Sequence, residues 1–164
     1  MNAFWSYFWP LFAAGLMVGA IAATFGFRRS RLKTALAIGV AAALGFAGIW
    51  HGPLGAANRF ATYVERDVRE TLVYNEIPEV SGRLHHGPLS RRVLLAGPAD
   101  DFQRDELVRI INLVPGVESV SWSGGTGVPL IIEAALATVL GFLLGLLLAY
   151  LVELRRRYNA QWNW

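Results

Sequence analysis

Three long apolar runs limit most strongly what this chain can fold into. They extend from about Phe4 to Phe27, from Thr34 to about Leu54, and from Val128 to Val152. A helix needs about 20 apolar residues to cross the hydrocarbon core of a bilayer. In lipid, a single spanning segment satisfies its backbone groups only as a helix. The sequence therefore predicts an α-helical membrane protein with transmembrane helices at residues 1–27, 34–55 and 128–152, the first with an aromatic N-terminus.

The positions of the basic residues predict the topology. Hydrophobic residues make up 54% of the 164 residues. Seven basic residues lie directly beside the apolar runs: Arg28, Arg29, Arg31, Lys33, Arg155, Arg156 and Arg157. Short segments rich in Lys and Arg remain in the cytoplasm. We therefore expect a cytoplasmic basic loop at 28–33 and a cytoplasmic tail at 153–164, with the N-terminus and residues 56–127 on the opposite side. The sequence pI of about 9.7 then results from basic residues that orient the chain in a membrane. No nucleic-acid partner is expected.

Small residues recur at four-residue spacing in each apolar run. The pairs are Gly15 with Gly19 and Ala23, Gly39 with Ala43, Ala41 with Gly45, and Gly141 with Gly145. This spacing lets helix backbones approach closely. It favours either a compact bundle or docking onto helices of other proteins, although glycine and alanine are also common in membrane helices without a packing role.

A small domain is predicted at residues 58–123, between segments rich in Gly and Pro. Phe60, Val64, Val68 and Leu72 have the spacing of an amphipathic helix. Strand-like segments begin at Val80 and at Arg91, and the turn between them predicts a hairpin. A second helix and a final strand at 117–122 complete the order α-β-β-α-β, a small α+β domain with helices packed on a sheet.

The second helix of this domain carries a start signal and an apolar stripe. Asp100 and Gln103 have the spacing of a capping box. We expect the buried stripe to consist of Phe102, Leu107, Ile110, Ile111 and Val114.

The element order, the segment VLLAGPA and the segment VPGVESV resemble the BON domain, a module named for bacterial OsmY and nodulation proteins. The resemblance covers residues 60–122, and the family's glycines match Gly97 and Gly116. One glycine leaves a strand and the other ends a helix, where a permissive backbone is useful. The resemblance implies a bacterial envelope protein whose domain binds phospholipid, another protein or a cell-wall component and is not a catalyst. Together with the topology from the basic residues, we expect a bacterial inner-membrane protein whose domain is periplasmic.

Few residues suggest chemistry. The chain has no cysteine, and His85 and His86 are adjacent in a strand-like segment, where side chains point to opposite faces. A solvated turn is therefore favoured over a metal site. Glu133 in the third run and His51 near the end of the second are predicted at similar depth, so we consider a polar pair; the alternative is that each reaches interfacial water.

These features favour a non-enzymatic accessory or scaffold subunit of a larger membrane complex, with no cofactor and no metal. Its partners would be membrane lipids and other membrane subunits. The main alternative is an independent envelope-stress protein that binds phospholipid or cell wall, with a homo-oligomer as one form. A transporter or channel ranks last, because the spans have few polar groups in mid-membrane.

Overall fold

The structure, a computed structural model, describes residues 2–29 and 31–162, with the backbone alone at 161 and 162. Met1 of the first predicted span, Ser30 of the predicted basic loop and residues 163–164 of the predicted tail lie outside the described residues. The chain divides into two compact units. Met1–Tyr7 and Gly55–Glu133 form the α/β unit, and Phe8–Leu54 and Ala134–Trp164 form the helical unit.

Eight elements follow one another within the described residues: α1 (Ala3–Arg29), α2 (Leu32–His51), α3 (Ala56–Tyr74), β1 (Ser81–His86), β2 (Leu89–Ala96), α4 (Asp101–Ile111), β3 (Ser119–Ser121) and α5 (Leu130–Trp162). Among them, α1, α2 and the Leu130–Ala160 part of α5 have the length and apolar composition needed to cross a membrane. These three helices indicate a membrane protein. α2 begins two residues before the predicted span and ends four residues before its predicted end.

The α/β unit contains the predicted order α-β-β-α-β. Along α3, residues Phe60, Val64, Val68 and Leu72 are buried at helical spacing. β1 and β2 pair antiparallel, whereas β3 pairs parallel with β2. Since a parallel partner cannot be reached by a tight turn, α4 serves as the crossover. The sheet order among the described residues is β1-β2-β3, which leaves β1 as an edge strand.

The capping box of α4 is confirmed, and one residue of its predicted stripe is wrong. Asp100 Oδ1 accepts the Gln103 N–H at 2.7 Å, and Gln103 Oε1 accepts the Asp100 N–H at 3.1 Å. Leu107, Ile111 and Val114 are buried and Ile110 is half-buried, but Phe102 is 80% exposed. At 3.6 residues per turn, a residue five positions before Leu107 lies about 140° from it around the helix, which turns Phe102 toward solvent.

The core of the helical unit is built from small and large side chains together. Ala22, Ala43 and Phe142, one from each long helix, form a buried cluster. Val18, Leu36 and Leu146 pack around it. Two of the three central residues are alanines, so the three helices meet at short distance.

Candidate functional site

Close contact between α1 and α5 depends on four of the glycines singled out in the sequence. A methyl group added at any of them would overlap a backbone carbonyl oxygen of the facing helix. Such close backbone approach is what small residues permit in membrane helices. The facing pairs are Gly15 with Thr138, Gly19 with Phe142, Gly141 with Phe12, and Gly145 with Leu16.

α2 uses only one of its two small-residue rows against its neighbours. A methyl group at Gly39 would lie 2.8 Å from the Ala22 Cβ, and Ala43 is buried, as is Ala23 of α1. Gly45 is different: among the described residues, nothing lies within 4 Å of a methyl group placed there. Ala41 and Gly45, the predicted pair, are both exposed.

Both basic clusters lie at one end of the helical unit. The Phe27 and Tyr150 rings, near the ends of α1 and α5, are 6.0 Å apart. Arg28 and Arg29 follow Phe27, and Arg31 and Lys33 lie at the start of α2. Within α5, Glu153 pairs with Arg157 at 2.9 Å, and Arg155 and Arg156 are exposed beside them. This common location is what one cytoplasmic end would require.

A partly buried ion pair joins the sheet of the α/β unit to the first turn of α5. Arg91 Nε lies 2.7 Å from Glu133 Oε2, and both side chains are 17% exposed. At this distance the two oppositely charged groups form an ion pair. The Arg91 guanidinium also lies over the Phe4 ring, at 5.4 Å from its centre. One arginine thus contacts both the N-terminal segment and the start of the third long helix.

The surroundings of this pair are aromatic and tightly packed. Tyr7 is buried against the Phe60 ring, with ring centres 5.4 Å apart. Ser90, beside Arg91, is fully buried and forms an isolated bridge with Pro129. Glu133 Oε1 is buried without a hydrogen-bond partner among the described residues. The sequence analysis did not predict the contact of Arg91 with Glu133. The alternation of Arg91 with the buried residues Val93 and Leu95 places all three on one face of the strand, and this was the available signal.

The predicted pair of His51 and Glu133 stays a prediction. His51 belongs to the helical unit and Glu133 to the α/β unit. The carboxylate of Glu133 is ion-paired with Arg91.

The two adjacent histidines have different partners. His85 Nδ1 lies 3.0 Å from the Pro88 carbonyl oxygen, whereas His86 Nε2 lies 2.9 Å from Glu65 Oε1. The same Glu65 oxygen accepts the Leu84 N–H, so α3 holds the edge strand β1 through one carboxylate. Within the described part of the chain, no group of three or more His, Cys, Asp or Glu residues is arranged to hold a metal.

The face of the sheet away from α3 is cationic. Arg83 pairs across the strands with Leu94, and Arg92 pairs with Ser119. These residues alternate with the buried Leu84 and Val93 and so occupy the opposite face. Arg92 Nε is buried and has no hydrogen-bond partner among the described residues. The Arg92 guanidinium packs on the following loop, where a methyl group added at Gly125 would lie 2.9 Å from its Cζ.

Gly97 and Gly116 occupy backbone conformations that disfavour a side chain. Their φ angles are 143° and 104°. A methyl group at Gly97 would lie 2.7 Å from the Glu79 carbonyl oxygen, and one at Gly116 would lie 2.8 Å from Val64 Cγ2. Positive φ and close approach both favour glycine there. Comparison of the chain with protein-family models, curated proteins and solved structures found no match.

Proposed function

We propose that the chain is a non-enzymatic accessory or scaffold subunit of a larger complex in a bacterial inner membrane. Its spans would pack on helices of partner subunits, and its BON-like domain would contact partners on the periplasmic face. The observation that carries this proposal is the largely uncovered surface of α2.

One face of α2 has the small-residue spacing of a helix interface but lacks a partner within the described chain. Exposed small residues recur there at intervals of four, four and three: Ala37, Ala41, Gly45 and Gly48. Glycine in a helix costs roughly 1 kcal/mol relative to alanine. In the α1–α5 pair, close backbone contact offsets this cost; at Gly45 and Gly48 nothing in the described residues does. A helix of another subunit would supply the missing contact.

A second feature of the helical unit supports docking of a membrane partner. An apolar groove of about 360 Å³ runs between α1 and α2. Its walls include Val18, Ile21, Phe25, Ala35, Ile38 and Ala42. A groove of this kind receives large apolar side chains from a neighbouring helix, since lipid-embedded helices associate through packing.

The orientation is part of the proposal. The location of both arginine clusters at one end of the helical unit supports a cytoplasmic position for that end. Residues 56–127 would then be periplasmic, which is where the resemblance to BON domains leads us to expect a binding module.

The test begins with the tagged full chain, purified from native membranes in mild detergent and analysed by native electrophoresis and mass spectrometry. We expect a stoichiometric large complex, and a lone monomer would refute the subunit proposal. The variant Gly45→Leu/Gly48→Leu should release the chain from the complex because it fills the exposed face. Thr24→Leu adds a large side chain to an exposed position of α1 and is the matched control. If both variants remain bound, α2 is not the docking face.

A second candidate function is favoured by the cationic sheet face. Arg83 and Arg92 could hold phosphate groups of lipid or cell-wall polymers, as an independent envelope protein would require. The full chain in nanodiscs would then bind vesicles rich in anionic lipid, and Arg83→Gln/Arg92→Gln would abolish this binding. Arg66→Gln/Arg69→Gln, with the same charge loss on α3, is the control. Equal binding by both double variants would refute a site on the sheet.

A further inference from the structure

A groove between α3 and α4 is lined by two strongly exposed large apolar side chains of the α/β unit. Tyr74 is 88% exposed and Leu113 is 75% exposed, and both line a groove of about 680 Å³. Its other apolar wall residues are Ile110, Val114 and Pro115. Single exposed apolar residues are common on protein surfaces, but several on one concave surface mark an interaction site.

The charged groups that line the groove are both acidic. Asp67 and Glu70 stand on the α3 wall, and no Lys or Arg is among the lining residues in the described chain. Arg66, outside the groove, approaches each carboxylate at 3.5 Å, and its side chain is 60% exposed. Exposed ion pairs of this length are weak, so an incoming cation can replace Arg66 at little cost.

The polar and aromatic groups are arranged for a side chain that is both cationic and long. Asp67, Glu70 and Tyr74 are three and four residues apart on α3, which places them on one face of the helix. A guanidinium lying between the carboxylates could also stack on the exposed Tyr74 ring, because the faces of aromatic rings attract cations. An adjacent apolar residue of the same partner would reach Leu113 across the groove.

We propose that the α3–α4 groove binds an extended protein segment in which Arg or Lys alternates with large apolar residues. This inference rests on the proposed scaffold function and names the partner chemistry of its periplasmic domain. The groove is open along its length, unlike the concave sites that enclose small molecules. Charge complementarity therefore selects a cationic chain segment as the occupant.

The test uses the full chain in nanodiscs of neutral phosphatidylcholine, so that the lipid does not attract a cationic probe. The probe is a short labelled peptide of alternating arginine and leucine, and a peptide with glutamate in place of arginine is its control. We expect saturable binding of the arginine peptide alone, weakened by added salt. Hydrogen exchange should slow at residues 67–75 and 110–115.

Two double variants make the result specific. Asp67→Asn/Glu70→Gln should weaken binding about tenfold, because two charge contacts are lost. Asp101→Asn/Asp105→Asn removes the same charge from exposed positions of α4 outside the groove lining and should bind as the unmodified chain does. Circular dichroism checks that both remain folded.

The outcomes separate this proposal from the scaffold proposal. Equal weakening by both variants, no binding, or unchanged exchange along the groove would overturn the α3–α4 assignment. None of these results would alter the native complex expected from the α2 experiment. A lone monomer in the native purification would refute the scaffold function. The peptide-binding assay would still give its own result, because it uses the purified chain alone.

Discussion

Removing the charge of Glu133 should break its ion pair with Arg91 in a largely buried place. Glu133→Gln keeps the size of the side chain, so the loss of the ion pair is the main change. Breaking a fully buried pair costs about 3–5 kcal/mol, and an exposed pair contributes roughly 0–1 kcal/mol. Both side chains are 17% exposed, so the cost should be closer to that of a buried pair. Partial contact with solvent lowers it below the range of about 3–5 kcal/mol. We expect a loss of about 2–3 kcal/mol in the free energy of unfolding.

A double-mutant cycle tests whether this loss belongs to the pair. Arg91→Met and Glu133→Met should each destabilise the protein, whereas the double variant should differ from the unmodified chain by about 1 kcal/mol or less, since no unpaired charge remains. Unfolding is followed by near-ultraviolet circular dichroism as sodium dodecyl sulfate is added to the full chain in micelles. Glu153→Gln, which breaks a pair on the same helix whose arginine is 65% exposed, is the control and should cost at most about 1 kcal/mol.

The cycle also defines the result that contradicts the reasoning. If the two single losses add up to the loss of the double variant, the coupling energy is near zero. Solvent would then compensate each charge separately. The packing of Arg91 on the Phe4 ring would still contribute to the stability.

Three further predictions follow from the described contacts. Gly141→Ala should destabilise the helical unit by about 1–3 kcal/mol through overlap with α1, whereas Gly48→Ala, in open space, should not; equal thermal shifts for the purified proteins would contradict this. Gly116→Ala should cost about 1–3 kcal/mol because it combines positive φ with crowding by a core side chain, measured by the same unfolding titration. A hydrogen bond and the charge of Arg109 lower the pKa of Glu106, so this contact stabilises the domain above the unfolded pKa and is lost as the pH falls through the folded value. In an NMR titration, Arg109→Gln should raise the pKa of Glu106 toward its ordinary value.

The sequence alone was sufficient to predict the long helices and the order of elements in the α/β unit. Both depend on local properties: the length of an apolar run, the spacing of Phe60, Val64 and Val68 on a helix, and the capping pair of Asp100 and Gln103. These signals act over one or a few turns of chain. Boundaries were less well predicted, since α5 continues beyond residue 152 to Trp162. Hydropathy marks where lipid ends, and a helix can continue past that point.

Contacts between distant parts of the chain were decided by the tertiary structure. Gly19 and Gly45 have equivalent small-residue spacing, yet Gly19 touches the backbone of α5 and Gly45 touches nothing described. The rotation of each helix, which depends on all its neighbours, separates the two cases. Arg91 and Glu133 meet because β2 and the start of α5 are brought together by the fold. Sequence periodicity can assign a residue to a face of its own element, but only the packing of elements decides which partner that face meets.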